Sequence, residues 1–530
     1  MQRLSRAATV LVFPAIAYLG AACERTETPT QARRPGVAFD LSNNPTTLWV
    51  NAAAIAPIPP GTSCDNPGYR TIQRAVDDAT TGDRINVCPG TYVEQVTIPA
   101  GKDNIRLRST QQWQAVIKAP MLMVPYNGNF IIVRVAGAQN VTLLAFTITG
   151  PGPGGCGTLH YGVRVDNGGS ADILGNHITK IRDEPFSGCQ NGVAVLVGRA
   201  AEGTTGSARI MGNVIDDYQK NGPTVDNAGS SADIVNNRIL GHGPNALNAQ
   251  NGVQVSRGAT ANIRHNFVAG NVYTPQTFEA TGILLFRSGS VLTDHNTLSS
   301  NDGGIYMFQA ATGSTTPNNR VRGSSFDGIT LDFATGNGVA NNKTDQNTGP
   351  GVGVYDGSQN NAVDNNDVED NKDSGILLDD GANNTVGGNH VRNNGTADMG
   401  MDNTDGIRVN AASMSNTIHD NHLRGNVTYD CHDGSFGLGT SGTANTWVNN
   451  HGETDNRPGL CTPDPADDAT VDASTVYGWD PSYPWYGAFD VASEYDWATA
   501  YATIDMASLL QLLPQVRLSG IRRATVNPDQ

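Results

Sequence analysis

The sequence predicts an all-β parallel β-helix, and three observations carry that prediction. Between Asn296 and Val391 an asparagine returns at Asn296, Asn319, Asn342, Asn366 and Asn389, spaced 23, 23, 24 and 23 residues. A glycine that opens an apolar strand returns in step, at Gly304, Gly328, Gly351 and Gly375, spaced 24, 23 and 24. The apolar residues after these glycines, Ile305, Ile329, Val352 and Ile376, keep the same register. A fixed period of this length means stacked units. Each unit is too short for strand–helix–strand, and none can bury its apolar face alone. Asparagine suits the turns because it tolerates left-handed backbone angles, and its stacked amides can bond to one another as a ladder. Glycine supplies the conformations that other residues find strained at the opposite corner. An Asn/Gly-rich disordered region would not hold its apolar positions in step with its turns.

The elements follow in order. Arg3 and Arg6 precede an apolar run from Ala7 to Leu19 and the small residues Gly20-Ala21-Ala22-Cys23, the pattern of an export signal. The run is too short for a comfortable membrane span. Cys23 resembles the lipid-attachment cysteine of bacterial lipoproteins, which implies an outer-membrane, cell-surface or extracellular location and a membrane link only through that lipid. Residues 24–60, rich in Pro, Thr and Ala, read as a linker. Ile72, Ala75, Val76 and Ala79 are spaced for an amphipathic helix that covers the open end of the solenoid. Gly82-Asp83 ends it, and the strand Arg84-Ile85-Asn86-Val87 follows.

Thr71-Ile72-Gln73-Arg74-Ala75-Val76, then Gly82-Asp83, then Cys88-Pro89-Gly90-Thr91-Tyr92 resembles the N-terminal cap of right-handed parallel β-helix proteins with the pectin-lyase fold. The resemblance extends over residues 61–455. It implies the fold and its handedness and leaves activity open, since that fold hosts pectate lyases, polygalacturonases, alginate epimerases, phage tailspikes and many proteins of no known function.

Six of the seven cysteines fall into local pairs, Cys64 with Cys88, Cys156 with Cys189 and Cys431 with Cys461, each bracketing about one coil. Six cysteines allow 15 pairings, and spacing alone favours this one. Disulfides fit an exported protein. The net charge of -16 argues against nucleic acid and anionic membrane surfaces as partners. Nothing in the sequence calls for more than a monomer.

Between Asn176 and Gly304 the coils lengthen: Gly162, Gly192, Gly222, Gly252 and Gly282 are each 30 residues apart. The extra residues are expected in the turns around Lys180–Pro185, Ile215–Lys220 and Gly270–Pro275, where they would wall a groove. After Asn450 the period is lost. Residues 456–530 read as a linker and an aromatic-rich, irregular or helical tail with Tyr477, Trp479, Tyr483, Trp485, Tyr486, Tyr495 and Trp497. Such a tail covers the solenoid or stacks on sugar rings.

Strand alternation gives the outward positions. Four residues after each anchoring glycine stand Asp166, Leu196, Asp226, Ser256, Phe286, Phe308, Asp332, Tyr355, Asp379 and Asn410. Asp332 and Asp379 are two coils apart, on the order of 10 Å, with Tyr355 between them. Two carboxylates flanking an aromatic suit sugar cleavage, and these three are the candidate catalytic residues. Phe286, Phe308 and Tyr306 would extend a sugar-binding platform. A lyase or epimerase would need a base and a cation to neutralise a uronate carboxylate. Arg164, Arg182, Tyr218, Lys220 and Asp226 are candidates of suitable type. The plain alternative is ordinary surface charge.

Gly241-His242-Gly243 echoes a polygalacturonase tripeptide, but the other catalytic patterns of that family do not line up. The run from Asp364 to Asn371 is rich in oxygen donors of the kind that hold calcium, yet it coincides with a ladder turn. The histidines show no zinc spacing, and no metal ligands are assigned. The reading is an exported β-helix protein that binds or processes polysaccharide along its side, as a lyase, hydrolase or epimerase. The alternative is a non-catalytic cell-surface binding or structural protein.

Overall fold

Each coil contributes one short strand to each of three parallel sheets, and the coils stack into a right-handed β-helix. A computed structural model describes residues 45–396 and 404–463 of the chain. In chain order, sheet 1 has 15 strands, from Thr47–Val50 to Thr446–Val448. Sheet 2 has 13, from Gly90–Val93 to His422–Arg424. Sheet 3, the glycine-led sheet, also has 13, from Val96–Pro99 to Cys431–Asp433. Ile305, Ile329, Val352 and Ile376 are register partners on successive coils of sheet 3 and are all fully buried. Burial of a valine or isoleucine contributes about 1.5–3 kcal/mol, and one continuous core gathers these residues along the solenoid.

The corners are built from asparagine at all three turns, not one. Between sheets 1 and 2 a ladder runs from Asn176 through Asn213, Asn237, Asn266, Asn296, Asn319, Asn342, Asn366, Asn389 and Asn421 to Asn450. Each backbone N–H donates to the next amide oxygen at 2.8 to 3.1 Å. A second ladder between sheets 2 and 3 includes Asn347, Asn371, Asn394 and Asn426, and ends on the Asp430 carboxylate, 2.8 Å from the Asn426 amide nitrogen. A third between sheets 3 and 1 links Asn361, Asn384, Asn416 and Asn445, and ends on Asp433 at 3.1 Å. These amides satisfy buried backbone groups that the tight corners leave without sheet partners.

The helix α1 spans Ile72–Asp78 and buries Ile72, Ala75 and Val76 in the same core as the first strands. Thr71 caps it, and the Glu94 carboxylate accepts from the Ile72 and Gln73 N–H groups at 2.8 and 2.9 Å. An acid there meets the unbonded donors of the first turn.

The stretch expected as a linker, 24–60, contains a strand instead: Thr47–Val50 pairs with Arg84–Val87. Its alternating burial lets Leu48 and Val50 join the core. At the other end the coils run past 455, because Thr462 pairs with His451 and Cys461 bonds to Cys431. The disulfides are Cys64–Cys88, Cys156–Cys189 and Cys431–Cys461, with Cα–Cα distances of 5.7, 5.7 and 6.1 Å. The expected export signal with Cys23 and the aromatic tail from Tyr477 to Trp497 lie outside the described residues.

Long connections between sheets 2 and 3 include 119–130, 150–160, 180–192, 241–250 and 270–280. The turn at 217–220 is short, because Val214–Asp216 is a strand. The extra residues of that coil lie across the solenoid at 198–205, around a 3-10 turn at Ala200–Glu202. A coil's length alone does not say which corner holds the insertion.

Candidate active site

The outer face of sheet 3 carries two columns of side chains whose register is fixed by strand pairing. One contains Leu284, Tyr306, Thr330, Gly353, Leu377, Arg408 and His432. The other contains Phe286, Phe308, Asp332, Tyr355 and Asp379. Leu196, expected in the second column, stands in the first, opposite Arg164 and Thr224. The cause is that Val193 pairs with Tyr161, so Gly192 precedes its strand.

An aromatic shelf occupies one end of this face. The rings of Phe286 and Phe308 stack at 5.4 Å with 3° between planes, and Phe333 meets Phe308 edge-on at 6.0 Å. Phe286 is covered, while Phe333 is 51% exposed, so Phe308 and Phe333 form the accessible part.

Next to the shelf lies a cluster of acids with mixed partners. The Tyr306 hydroxyl donates to Asp332 at 2.5 Å, and Asp332 is buried. Beyond it, Gly353 leaves a gap in the first column. The Tyr355 ring and the Asp327 carboxylate fill that gap, since a β-carbon on Gly353 would fall 2.5 Å from Asp327 Oδ2. Thr330 Oγ1 donates to the same carboxylate at 3.2 Å. Two coils further, Asp373 is buried and its pKa is pushed up to about 7. Burial is the main cause, and the negative charge of Asp327 adds to it; the Ser374 N–H and the Arg408 guanidinium pull the other way. Asp405, fully buried, accepts from Arg408 Nη1 at 2.8 Å and from the Tyr429 N–H at 3.1 Å, and His432 Nδ1 lies 3.1 Å away. Arg408 Nε also donates to Asn410 at 2.9 Å. At the corner one coil before Asp327, burial raises Asp302 to about 6, even though it accepts from Ser325 Oγ at 2.5 Å and the Tyr273 N–H at 2.7 Å.

Of the residues singled out from sequence, Asp332, Tyr355, Asp379, Phe286, Phe308 and Tyr306 are brought together here. The other five lie elsewhere, and their polar groups are consumed by structure. Arg164 is wholly buried, with Nε 2.7 Å from Asp166 and Nη2 2.5 Å from Glu202. Arg134 closes on the same Asp166 at 3.0 Å. Tyr218, expected on a groove wall, lies in the core and donates to Asn271 at 2.6 Å. Lys220 donates to the Ala249 carbonyl at 2.8 Å, and burial lowers its pKa to about 8. Arg182 is held by Asp217 at 3.1 Å and Glu184 at 2.9 Å. Asp226 accepts from Ser256 Oγ at 2.8 Å and the Ala200 N–H at 2.7 Å. Buried ionic groups need such partners, and once paired they are poorly placed to meet a substrate.

His242, from the tripeptide noted above, has Nδ1 2.8 Å from Asp217 and stacks on Phe186 at 4.5 Å. Four of the donors between Asp364 and Asn371 are already engaged. Asn366 and Asn371 sit in the ladders, while Asp367 and Glu369 pair with Lys343 and Arg392. No cluster of three or more histidine, cysteine or acidic side chains is arranged to hold a metal among the described residues.

Asp327, Asp373, Asp405 and His432 were missed by sequence reasoning. The three acids sit one or two residues before Gly328, Gly375 and Gly406, at the corner where alternation does not apply. An acid in that place on repeated coils was the available signal.

A family model described as a right-handed beta helix region matches residues 281–451. No curated protein matches the chain. Among solved structures, similarity is found to a DFA-IIIase from Arthrobacter chlorophenolicus A6 crystallised with GF2. It is 16% identical, over 65% of this chain and 86% of that one, with a TM-score of 0.41. A GH87 alpha-1,3-glucanase from Streptomyces thermodiastaticus is 14% identical, over 73% and 67%, with a TM-score of 0.41. An alginate lyase in complex with G6 is 13% identical, over 66% and 82%, with a TM-score of 0.44. The likeness is one of fold.

Proposed function

We propose that this is an exported protein that binds polysaccharide along the outer face of sheet 3 and cleaves it there, with Asp373 as general acid and Asp327 as general base. The observation that carries this reading is the placement of the buried Asp373 carboxyl two coils from Asp327 and on the same sheet as an aromatic shelf, where burial pushes its pKa up to about 7. A proton donor near neutrality needs a pKa close to the working pH. Its partner must take a proton from water, and the Asp327 carboxylate, half-buried and accepting from Thr330 Oγ1, is of the right type. Their backbones are two coils apart, on the order of 10 Å. Carboxyls that cut a glycosidic bond with inversion stand roughly 6.5–9.5 Å apart. Asp332, held by Tyr306, and the half-exposed Asp379 then serve the sugar hydroxyls as acceptors. Three disulfides support an oxidising compartment, and lipid attachment at Cys23 would keep the protein at the envelope as a monomer.

The test is incubation of the purified protein with a panel of polysaccharides, following new reducing ends and unsaturated uronates together. Turnover that is lost in Asp373→Asn with retained binding supports the assignment. Glycan binding without any turnover, unchanged in that variant, would instead fit a non-catalytic surface protein.

A further inference from the structure

We infer that the polysaccharide accepted on this face is uncharged, and that its bonds are broken by hydrolysis and not by elimination. The inference rests on the reading of Asp373 and Asp327 as the acid–base pair. It comes from the balance of charge along the face. Between Tyr306 and His432 the half-buried Asp327 and Asp379 stand above three buried acids, Asp332, Asp373 and Asp405. Set against them among the described residues is one guanidinium, Arg408, and it is already engaged by Asp405 and Asn410. His432 is turned to the same Asp405 oxygen. Arg287 stands at the far rim, 5.2 Å from the Phe286 ring centroid and donating to Gln309 at 2.7 Å.

A polyuronate carries a carboxylate on every ring. Bound here, successive rings would bring those carboxylates against Asp327 and Asp379 with the cations of this face, among the described residues, already engaged, and like charges in a partly desolvated groove repel strongly. Elimination needs more than tolerance of that charge. It needs the substrate carboxylate neutralised while the adjacent proton is removed, and the cationic side chains of this face are committed elsewhere. A neutral sugar makes the opposite demand. Its hydroxyls donate hydrogen bonds, and the half-buried Asp327 and Asp379 can accept them. Its apolar ring faces meet Phe308 and Phe333.

The corresponding step balances with one water. The Asp373 carboxyl proton passes to the glycosidic oxygen as the bond from that oxygen to the anomeric carbon breaks, and the bonding pair stays on the oxygen as a new hydroxyl. Water adds its oxygen to the anomeric carbon and gives its proton to Asp327. Solvent then returns a proton from Asp327 to Asp373.

The experiment uses the full chain and Asp373→Asn, with a β-glucan, a xylan, a mannan and a fructan as neutral probes and alginate and polygalacturonate as acidic ones. Affinity electrophoresis measures binding independently of turnover. The expected result is at least tenfold tighter retention by one neutral polymer than by either acidic one. Reducing ends should form from that polymer without unsaturated uronates, and at least a hundredfold more slowly in Asp373→Asn. Preferential binding of the acidic polymers, or unsaturated products abolished in Asp373→Asn, would overturn the uncharged substrate and leave the acid–base pair standing. Cleavage of a neutral polymer at full rate by Asp373→Asn would overturn the pair. No retention and no cleavage with any of the six would overturn both.

Discussion

Tyr306 and Asp332 stand on neighbouring coils, and the phenol hydroxyl donates to the carboxylate at 2.5 Å. Both are buried, so the bond is made away from water. Removing the hydroxyl with Tyr306→Phe leaves the carboxylate short of a donor, which costs about 1–3 kcal/mol. Chemical denaturation should register that loss. Turnover should fall because Asp332 is no longer fixed in orientation, while affinity for glycan changes little.

Asp373 makes the pH dependence specific. The folded carboxyl keeps its proton up to about pH 7, whereas an unfolded aspartate loses it near ~3.9. Its folded pKa is raised, so the contribution to stability is fully present below the unfolded value and is lost as pH rises through 7. Asp373→Asn should flatten the fall in denaturation midpoint between pH 5 and pH 8. Wild-type turnover should decline above pH 7, and the variant should lose roughly 10²–10⁴-fold in kcat.

Phe333 is half exposed at the edge of the shelf. Phe333→Ala should leave the melting temperature nearly unchanged, since little buried surface is lost. KM for a long glycan should rise several-fold with kcat preserved, the signature of binding shared by ground and transition states. A fall in kcat alone would place the sugar chain elsewhere.

Asn342 tests the ladders. Its amide nitrogen donates to Thr316 O at 2.7 Å and Asn366 Oδ1 at 3.0 Å, and its oxygen accepts from Asn319 N at 2.8 Å. Asn342→Ala orphans groups on both neighbouring coils, each costing about 1–3 kcal/mol. The measured loss should exceed that of Tyr306→Phe.

The solenoid was legible because Asn319, Asn342 and Asn366 must each meet the next coil, a demand that fixes the repeat regardless of what the turns between them do. The face was legible too, as alternation within the sheet 3 strands put Phe308, Asp332 and Tyr355 on one side. What the sequence left open was the corner. Asp327 and Asp373 precede their strands, so period-two reasoning does not reach them, and their side chains are aimed by turn geometry. Arg164 and Tyr218 failed for a different reason. Their residue types suit a site, but whether a guanidinium meets solvent or Glu202, and whether a phenol faces a groove or Asn271, depends on an insertion at 198–205 and on turns whose path the sequence does not specify.

The asparagine ladders also give the molecule a direction. In every rung the backbone N–H and one amide N–H donate to the asparagine oxygen of the following coil, while the other amide N–H donates back to a carbonyl of the preceding one. A chain cut short at its C-terminal side therefore presents raw donors at the severed surface. One shortened from the other side presents oxygens that have lost their donors and a single amide N–H that has lost its carbonyl, the milder defect. During synthesis the newest coil of the second and third ladders is always the one in debt, settled when Asp430 and Asp433 arrive with carboxylates that only accept. Progressive deletion from the C-terminal side should unravel the stack inward, and appending a carboxylate terminus to a truncated array should restore its melting cooperativity.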